Sequence, residues 1–303
     1  MEPLFVVTGA TGKTGSTVIR KLLSAGKRVR AVGRTKERLE PLADAGADPF
    51  VCDLGDKKAL ARAFSGARAI YAMIPPDMAS QDYRSYQNHI TDSLAAALKK
   101  SRAEYVVALS SLGAEHSTKT GPIAGLHYME QQFNAMEAVN VLHLRAGYFM
   151  ENLLAQVAII KATGYVSDTL RPDLALPMIA SRDIGSAAAE ALLRPTFSGR
   201  QIRDLVGPRD ISMAQAAAVI GDAIGKPELQ YVQCSENDAR NALIQMGIST
   251  NVADLLMEMS AAMNSGLVAA PKVRQPNQVG PTSLEEFVRE HFVPAYRGMA
   301  SGR

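Results

Sequence analysis

The sequence predicts an α/β fold in which a doubly wound parallel sheet is followed by a smaller mixed α/β lobe. Short apolar runs alternate with amphipathic helical patterns through the first half of the chain, which is typical of parallel strands joined by crossover helices. Glycines close several of these helical patterns, among them Gly26, Gly46 and Gly66. Beyond Gly147 the regular alternation ends, which places the lobe in the second half of the chain.

Six apolar runs form the predicted sheet, and five amphipathic segments form its crossover helices. We expect strands at residues 4–7, 28–32, 50–52, 69–74, 105–109 and 141–144. We expect helices near residues 16–24, 36–45, 57–64, 83–101 and 126–138. This alternation is that of a Rossmann-type doubly wound sheet, which we assign to residues 1–150.

The second predicted domain, residues 151–303, is mostly a substrate-covering lobe over the open edge of the sheet, where doubly wound folds bind ligands. Some of its segments are expected to return to the sheet. The patterns indicate helices near residues 149–162, 184–193, 213–224, 236–245, 252–263 and 284–291, and strands near 201–206 and 229–232. Ser283 and Glu286 have the spacing of a capping box at the start of the last helix.

Composition narrows the class of protein. The chain has 303 residues, of which 47% are apolar and 21% charged, as in ordinary soluble proteins. Its net charge is +3, but cations and acids are interspersed, so we expect no nucleic-acid partner. Cys52 and Cys234 lack metal-ligand spacing, and no apolar run approaches the ~18 residues of a membrane span. We expect a cytoplasmic monomer or homodimer without a metal or a membrane contact.

Residues 8–15, TGATGKTG, form a glycine loop that allows two interpretations. A nucleotide-triphosphatase P-loop that ends on Gly12-Lys13-Thr14 would need a glycine five residues before Gly12, but that position is Val7. The three-glycine loop of a dinucleotide site instead requires a strand before it and a helix after it, and both are predicted here. The amides of such a loop approach a pyrophosphate at a helix N-terminus. The predicted contacts are Gly9, Thr11, Gly12, Lys13, Thr14 and Gly15.

Arg34 follows the second predicted strand, where the ribose of a bound dinucleotide would lie. An acid at this place bonds the 2′-hydroxyl of NAD, whereas a cation accommodates the 2′-phosphate of NADP. The sequence therefore predicts NADP(H) in preference to NAD(H), with Lys36 and Arg38 able to add charge. The alternative is a solvated arginine with no ligand.

Two further strand ends supply candidate contacts to the dinucleotide. Asp53, before Leu54, is suited either to accept from the adenine amino group or to cap the next helix. Met73, Ile74 and Pro75 close the fourth strand and would offer backbone and apolar surface beside the ribose and pyrophosphate.

Together these motifs resemble the NmrA-like family of atypical short-chain dehydrogenases/reductases. The resemblance rests on the glycine loop, Gly33-Arg34, Asp53-Leu54, Ser110-Ser111, His127 with Glu130, the string from Leu144 to Asn152, and ASRDIG at residues 180–185. It implies NADP(H) binding, with a substrate cleft between the two lobes. The family includes quinone oxidoreductases and a triphenylmethane dye reductase, and also transcriptional co-regulators without known turnover.

The catalytic residues are less clear, because the chain departs from the short-chain dehydrogenase pattern. Those enzymes use Tyr-x-x-x-Lys, in which the lysine lowers the pKa of the phenol. Here Tyr128 is followed by Gln132, and no lysine occurs between Lys119 and Lys161. We name His127 and Tyr128 as catalytic candidates, although His127 is equally explained by packing. Hydride transfer to a quinone or dye needs no such acid, because the acceptor delocalises the charge.

Candidate substrate contacts follow the fifth and sixth strands. Ser111 is placed either to contact a ligand or to form a turn. Tyr148, Phe149 and Asn152 are predicted to wall the nicotinamide end, with core packing as the alternative. The methionines at positions 246, 257, 259 and 263 form either an adaptable apolar cover or ordinary core.

The leading functional hypothesis is an NADPH-dependent oxidoreductase that passes hydride to a small quinone-like or conjugated aromatic acceptor. The alternative is a non-catalytic NADP(H)-sensing regulatory protein, which the missing lysine favours. A sugar-nucleotide epimerase shares the glycine loop but relies on the absent Tyr-Lys pair.

Overall fold

A computed structural model describes residues 2–298, so the last residues of the predicted second domain lie outside the described part. The strands are β1 (Leu4–Val7), β2 (Arg28–Gly33), β3 (Asp48–Val51), β4 (Ala67–Ala72), β5 (Tyr105–Ser111), β6 (Asn140–Ala146), β7 (Tyr148–Phe149), β8 (Val166–Asp168), β9 (Met178–Ile179), β10 (Arg200–Leu205) and β11 (Tyr231–Gln233). The α-helices are α1 (Lys13–Ser24), α2 (Lys36–Asp44), α3 (Lys57–Phe64), α4 (Tyr83–Ser101), α5 (Ile123–Asn134), α6 (Gln156–Thr163), α7 (Ser181–Leu193), α8 (Met213–Ile224), α9 (Glu236–Gln245), α10 (Thr250–Asn264), α11 (Leu284–Phe287) and α12 (Val293–Arg297).

The central sheet has seven strands in the described residues, in the order β10-β6-β5-β4-β1-β2-β3, and every neighbouring pair is parallel. β1 lies between β2 and β4, with Phe5 opposite Val29. The seventh strand, β10, comes from the second half of the chain and pairs Arg200 with Val141 of β6. The predicted Rossmann-type α/β fold is confirmed.

Two apolar layers sandwich the sheet, which explains why its strands are apolar on both faces. One layer packs α3, α4 and α5 against the sheet and contains Phe64, Leu98 and Phe133. The other packs α1 and α7 against the opposite face and contains Leu22 and Ile184. The two faces therefore have separate cores on either side of one sheet.

The rest of the second half forms a lobe with a third core, which contains Met150, Phe287 and Phe292. Two small parallel pairs, β7 with β9 and β8 with β11, shape this lobe. Its C-terminal segment is tied to α7 by Arg182, which forms salt bridges to Glu286 and Glu290.

The structure corrects some of the predicted elements. The helix expected at residues 149–162 is replaced by β7, a 3-10 segment (Met150–Ala155) and then α6. A contact distant in sequence causes this difference, because Phe149 pairs with Ile179 in extended conformation. The helix expected at 284–291 is α-helical only to Phe287, and a π-helical turn follows. The strand expected at 229–232 begins at Tyr231.

Between residues 2 and 298, no helix is both long enough and apolar enough to cross a membrane. The same residues contain no group of three or more His, Cys, Asp or Glu side chains arranged for a metal ion. Both cysteines are free thiols, and burial raises the pKa of Cys52 to about 11, which keeps it protonated and unreactive.

Candidate active site

The glycine loop turns sharply from β1 into α1. Gly9 has φ of +59°, and its carbonyl accepts a hydrogen bond of 2.9 Å from the backbone N–H of Gly12. α1 then begins at Lys13 without any side-chain cap on Gly12. The first N–H groups of an α-helix have no partner inside the helix, so those of this turn are available to an anion.

Close packing explains the glycines of this loop. A Cβ on Gly15 would lie 2.3 Å from the carbonyl oxygen of Gly9, and one on Gly12 would lie 3.2 Å from the same oxygen. A Cβ on Gly9 would lie 2.5 Å from Sδ of Met73. The loop is therefore folded back on itself beneath Met73, whose backbone N–H donates to Thr8 Oγ1 at 3.1 Å.

The side chains of the loop are divided between solvent and core. Lys13 is exposed and Thr11 is half-buried. The hydroxyl of Thr14 instead accepts a hydrogen bond of 2.9 Å from the buried hydroxyl of Tyr71. Of the predicted contacts, Thr14 can therefore offer a dinucleotide its backbone N–H, while its hydroxyl is held in place by Tyr71.

Arg34 is exposed directly after β2, and among residues 2–298 no carboxylate lies within salt-bridge distance of it. The charge of Arg34 acts on Tyr86 of α4, a neighbour that the sequence did not indicate. Burial raises the pKa of Tyr86 to about 12, and the charge of Arg34 acts in the opposite direction. The Tyr86 hydroxyl donates to the carbonyl of Pro75 at 2.8 Å, which leaves one lone pair of this predicted contact for a ligand.

Asp53 is exposed at the end of β3, and its Oδ1 accepts from the N–H of Gly55 at 2.7 Å. The prediction that it could cap α3 is wrong, because Asp56 caps that helix through the N–H groups of Lys58 and Ala59. The polar contact to adenine stays a prediction.

His89 is a second neighbour that the sequence did not indicate, since its Nε2 would lie 2.7 Å from a Cβ on Gly55. Leu54 and Ile74 are buried in the core beside α3 and α4, which leaves mainly their backbone for a ligand. Neither the position of His89 nor the burial of Leu54 and Ile74 can be predicted without knowing how α4 packs on the sheet.

A pocket of about 170 Å³ opens at the carboxyl ends of β5 and β6. It brings together all of the predicted substrate contacts, Ser111, Tyr148, Phe149 and Asn152. We call it the edge pocket; its other walls are Leu112, Ile123, Ala146, Gly147, Leu176, Pro177, Met259, Met263, Val268 and Ala269.

The methionine cover is present in part. Met259 and Met263 lie one turn apart on α10, and both line the edge pocket. Met246 is 72% exposed and takes no part. The cover is therefore one helix and the chain that follows it.

No acid of ordinary strength lines the edge pocket among the described residues. Burial raises the pKa of the Tyr148 hydroxyl well above its usual range, and the nearby Asp168 and Tyr231 raise it further. The Ser111 hydroxyl donates to the carbonyl of Leu112 at 3.0 Å. The pocket can hold a ring, but its walls supply no ready proton.

The two catalytic candidates are directed to different places. Nδ1 of His127 lies 2.8 Å from the carbonyl oxygen of Ala114, and it must be the donor because a carbonyl only accepts. The hydroxyl of Tyr128 donates to Asp92 on α4 at 2.9 Å, and this hydrogen bond raises its pKa. Neither side chain lines the edge pocket. The hydroxyl of Tyr128 is thus engaged with α4, and a catalytic role for either residue stays a prediction.

Other residues of the sequence motifs hold the site together. Arg145 donates to both carboxylate oxygens of Glu130, at 3.0 and 2.7 Å, and Ser110 donates to Glu130 at 2.6 Å. Burial raises the pKa of Glu130, but these hydrogen bonds outweigh it, so its pKa lies below its usual range. Glu151 accepts from the backbone N–H of Ser181 at 3.0 Å, at the start of α7.

The parallel sheet, the uncapped helix after a three-glycine turn and the pocket at the strand ends define a Rossmann-fold protein of the dinucleotide-binding class. The comparison with family models agrees, because the model of the NmrA-like family matches residues 1–288. The chain belongs to the NmrA-like family, as its motifs predict.

Among curated relatives, the NAD(P)H azoreductase of Xenophilus azovorans is 26% identical over 294 residues, covering 95% of this chain and 98% of the relative. Among solved structures, the NADPH-dependent quinone oxidoreductase QOR2 of Escherichia coli, in complex with NADPH, matches with a TM-score of 0.79 at 23% identity, covering 95% of this chain and 99% of that one. NmrA, a negative transcriptional regulator in complex with NAD, matches with a TM-score of 0.74 at 18% identity, covering 98% and 97%.

Proposed function

We propose that this protein is an NADPH-dependent oxidoreductase that passes hydride to a quinone-like or conjugated aromatic acceptor. The observation that carries the proposal is the edge pocket, which is apolar and opens at the same sheet edge as the glycine loop. Ligands of doubly wound folds bind at this edge.

The glycine loop fits the pyrophosphate of the dinucleotide. The free N–H groups at the start of α1 would bind its oxygens, and the packing of Gly9 beneath Met73 holds the turn in place. Arg34, exposed and without an acidic partner in residues 2–298, would bind the 2′-phosphate, which supports NADP(H) over NAD(H). Asp53 would accept from the adenine amino group.

The edge pocket would position a flat acceptor and exclude water from it. When bound, the reduced dinucleotide supplies a hydride, that is, two electrons and a proton. Since the Tyr148 hydroxyl is a weak acid, the second proton would come from water after hydride transfer. Quinones and conjugated dyes tolerate this order because they delocalise the charge, whereas a simple ketone does not. Positioning is the main contribution of the protein.

The relatives support the same class of reaction. One is named an azoreductase and another a quinone oxidoreductase, and the match to each extends over at least 95% of this chain. Both names describe reduction of a conjugated acceptor with a nicotinamide dinucleotide.

The test is anaerobic consumption of NADPH, followed by nicotinamide absorbance, across quinones, nitroaromatics and triarylmethane dyes. We expect turnover with at least one quinone, and slower turnover with NADH than with NADPH. The proposal fails if the protein binds NADPH and oxidises it with none of these acceptors.

A regulatory sensor is the second candidate, favoured by one observation. The Tyr128 hydroxyl is hydrogen-bonded to Asp92, and the sequence has no lysine between Lys119 and Lys161 that could assist a proton transfer from it. A protein that binds NADPH without turnover, and whose binding to a partner changes with the dinucleotide, would be this candidate.

A further inference from the structure

We propose that the edge pocket admits a single uncharged ring and rejects both ionic and polycyclic acceptors. This inference rests on the proposed function and narrows it to one substrate class, neutral monocyclic quinones. Size, charge and the seating of the cover helix each support it.

The size of the edge pocket limits the acceptor to one ring. Its volume is about 170 Å³, which is close to the ~150 Å³ of an apolar cavity that takes one benzene molecule. Sites for larger organic ligands usually enclose ~300 Å³ or more. The nicotinamide must also reach the edge of this pocket, so the part of the acceptor that the pocket encloses is about one ring.

The walls of the edge pocket also exclude charge. Its described walls include no lysine, arginine, histidine, aspartate or glutamate, and their side-chain polar groups belong to Ser111, Tyr148 and Asn152. A sulfonate or phosphate placed there would lose its water without gaining a cation, which is costly. A carbonyl oxygen needs only one donor, which the Asn152 amide can provide through its second N–H while the first bonds to Tyr148.

The cover helix α10 and the chain after it pack closely against the loop that follows β5, which opposes any widening of the pocket. A Cβ on Gly121 would lie 1.9 Å from the carbonyl oxygen of Leu255, and one on Gly113 would lie 2.6 Å from Cγ2 of Val268. The Asn251 side chain accepts from the backbone N–H of Tyr83 at 2.9 Å. Widening the pocket would break these contacts, so its size is built into the fold.

The reaction is balanced with water as the only further reactant. The quinone gains a hydride from NADPH and a proton from water, and it leaves as a hydroquinone while NADP⁺ and hydroxide are formed. The product is as neutral as the substrate and can leave by the same apolar path.

The experiment compares 1,4-benzoquinone with its monosulfonate, and with a neutral anthraquinone for size. We expect kcat/KM to be at least ~100-fold lower for the sulfonate than for benzoquinone, because the pocket offers its charge no partner. The anthraquinone is also intrinsically harder to reduce, so the size limit is tested by binding of its hydroquinone, which we expect to be at least ~100-fold weaker than binding of benzohydroquinone. Met263→Lys should raise kcat/KM for the sulfonate, and Met263→Ala should raise it for the larger ring. Met246→Ala, at a methionine that is 72% exposed, is the matched control and should change neither ratio.

Binding of the corresponding hydroquinones to the protein with NADP⁺, by calorimetry, separates this inference from the proposed function. Selective binding of the neutral single ring without turnover supports the inference and overturns the function. Equal binding of the neutral and sulfonated rings, or equal kcat/KM, overturns the inference while turnover still supports the function.

Discussion

The Nδ1 of His127 donates a hydrogen bond of 2.8 Å to the carbonyl of Ala114, and this bond fixes which nitrogen of the neutral ring carries the proton. When the ring is neutral, its other nitrogen, Nε2, carries a lone pair and no proton. His127 therefore ties α5 to the loop after β5, and its neutral ring presents Nε2 as a hydrogen-bond acceptor.

The first prediction concerns His127. Asparagine can place an amide N–H near the position of Nδ1, so His127→Asn should keep the bond to Ala114 and lose at most about tenfold in kcat, well short of the 10²–10⁴-fold supplied by a general acid. His127→Ala loses that bond and should also lower the melting temperature. A 100-fold loss of kcat in a stably folded His127→Asn variant would show that His127 is the proton donor.

Gly9 provides a matched pair of variants with Gly26. Both have positive φ, +59° and +69°, so alanine strains the backbone at either position. Only at Gly9 does the new Cβ collide, 2.5 Å from Met73, whereas nothing lies within 4 Å at Gly26. We expect about 1 kcal/mol lower stability for Gly26→Ala, a larger loss for Gly9→Ala because its Cβ collides with Met73, and weaker NADPH binding for Gly9→Ala alone. Calorimetric titration with NADPH measures the difference, and equal affinity in the two variants would refute this function of the loop.

Arg34 determines the predicted cofactor preference. A charge-assisted hydrogen bond is worth about 1.5–3 kcal/mol, so Arg34→Ala should weaken NADPH binding by ~10–100-fold. NADH, which lacks the 2′-phosphate, should bind nearly as before. Arg289→Ala, at an arginine that is 73% exposed on the far C-terminal segment, serves as the control. An equal loss for both dinucleotides in Arg34→Ala would remove this residue from the 2′-phosphate.

His143 predicts how stability changes with pH. Burial lowers its pKa to about 4 from the usual value of about 6.5, so between these pH values the unfolded chain binds a proton that the folded protein does not. Stability should therefore fall as the pH falls, by about 2 kcal/mol between pH 7.5 and pH 5, at about 1.4 kcal/mol per unit below 6.5. Glu130, whose pKa is lowered by Arg145, loses its stabilising contribution only in a more acidic range.

Urea unfolding at the two pH values measures this effect. His143→Gln keeps a donor toward Asn134, which accepts from Nε2 at 2.9 Å, and removes the titrating ring. Its stability should change much less between pH 7.5 and pH 5. If the variant shows the same loss as the natural protein, other groups carry the pH dependence.

Much of the fold and of the pocket could be predicted from the sequence because both depend on local patterns. Strands that are buried on both faces appear in the sequence as continuous apolar runs. The carboxyl ends of parallel strands lie at the same edge of the sheet. That geometry alone brings Ser111 of β5 together with Tyr148 and Asn152 after β6.

The rest depends on partners that are distant in sequence. The sequence offers Tyr128 as a catalytic candidate, but it cannot show that the hydrogen-bond partner of Tyr128 is Asp92, which lies 36 residues earlier on another helix. The short strand at Phe149 forms only because Ile179 is opposite it. No local pattern indicates either contact, and the same holds for Met73 above Gly9.

The measurement that tests the central claim most directly is a single anaerobic turnover with NADPH carrying deuterium at the transferred position of the nicotinamide, mixed with benzoquinone. We predict that NADP⁺ and hydroquinone form one for one, more slowly than with unlabelled NADPH, because the bond to the transferred deuterium is broken as the hydride passes to the quinone. NADPH that binds tightly but stays reduced over many minutes with the quinone present would contradict the account and favour the regulatory sensor.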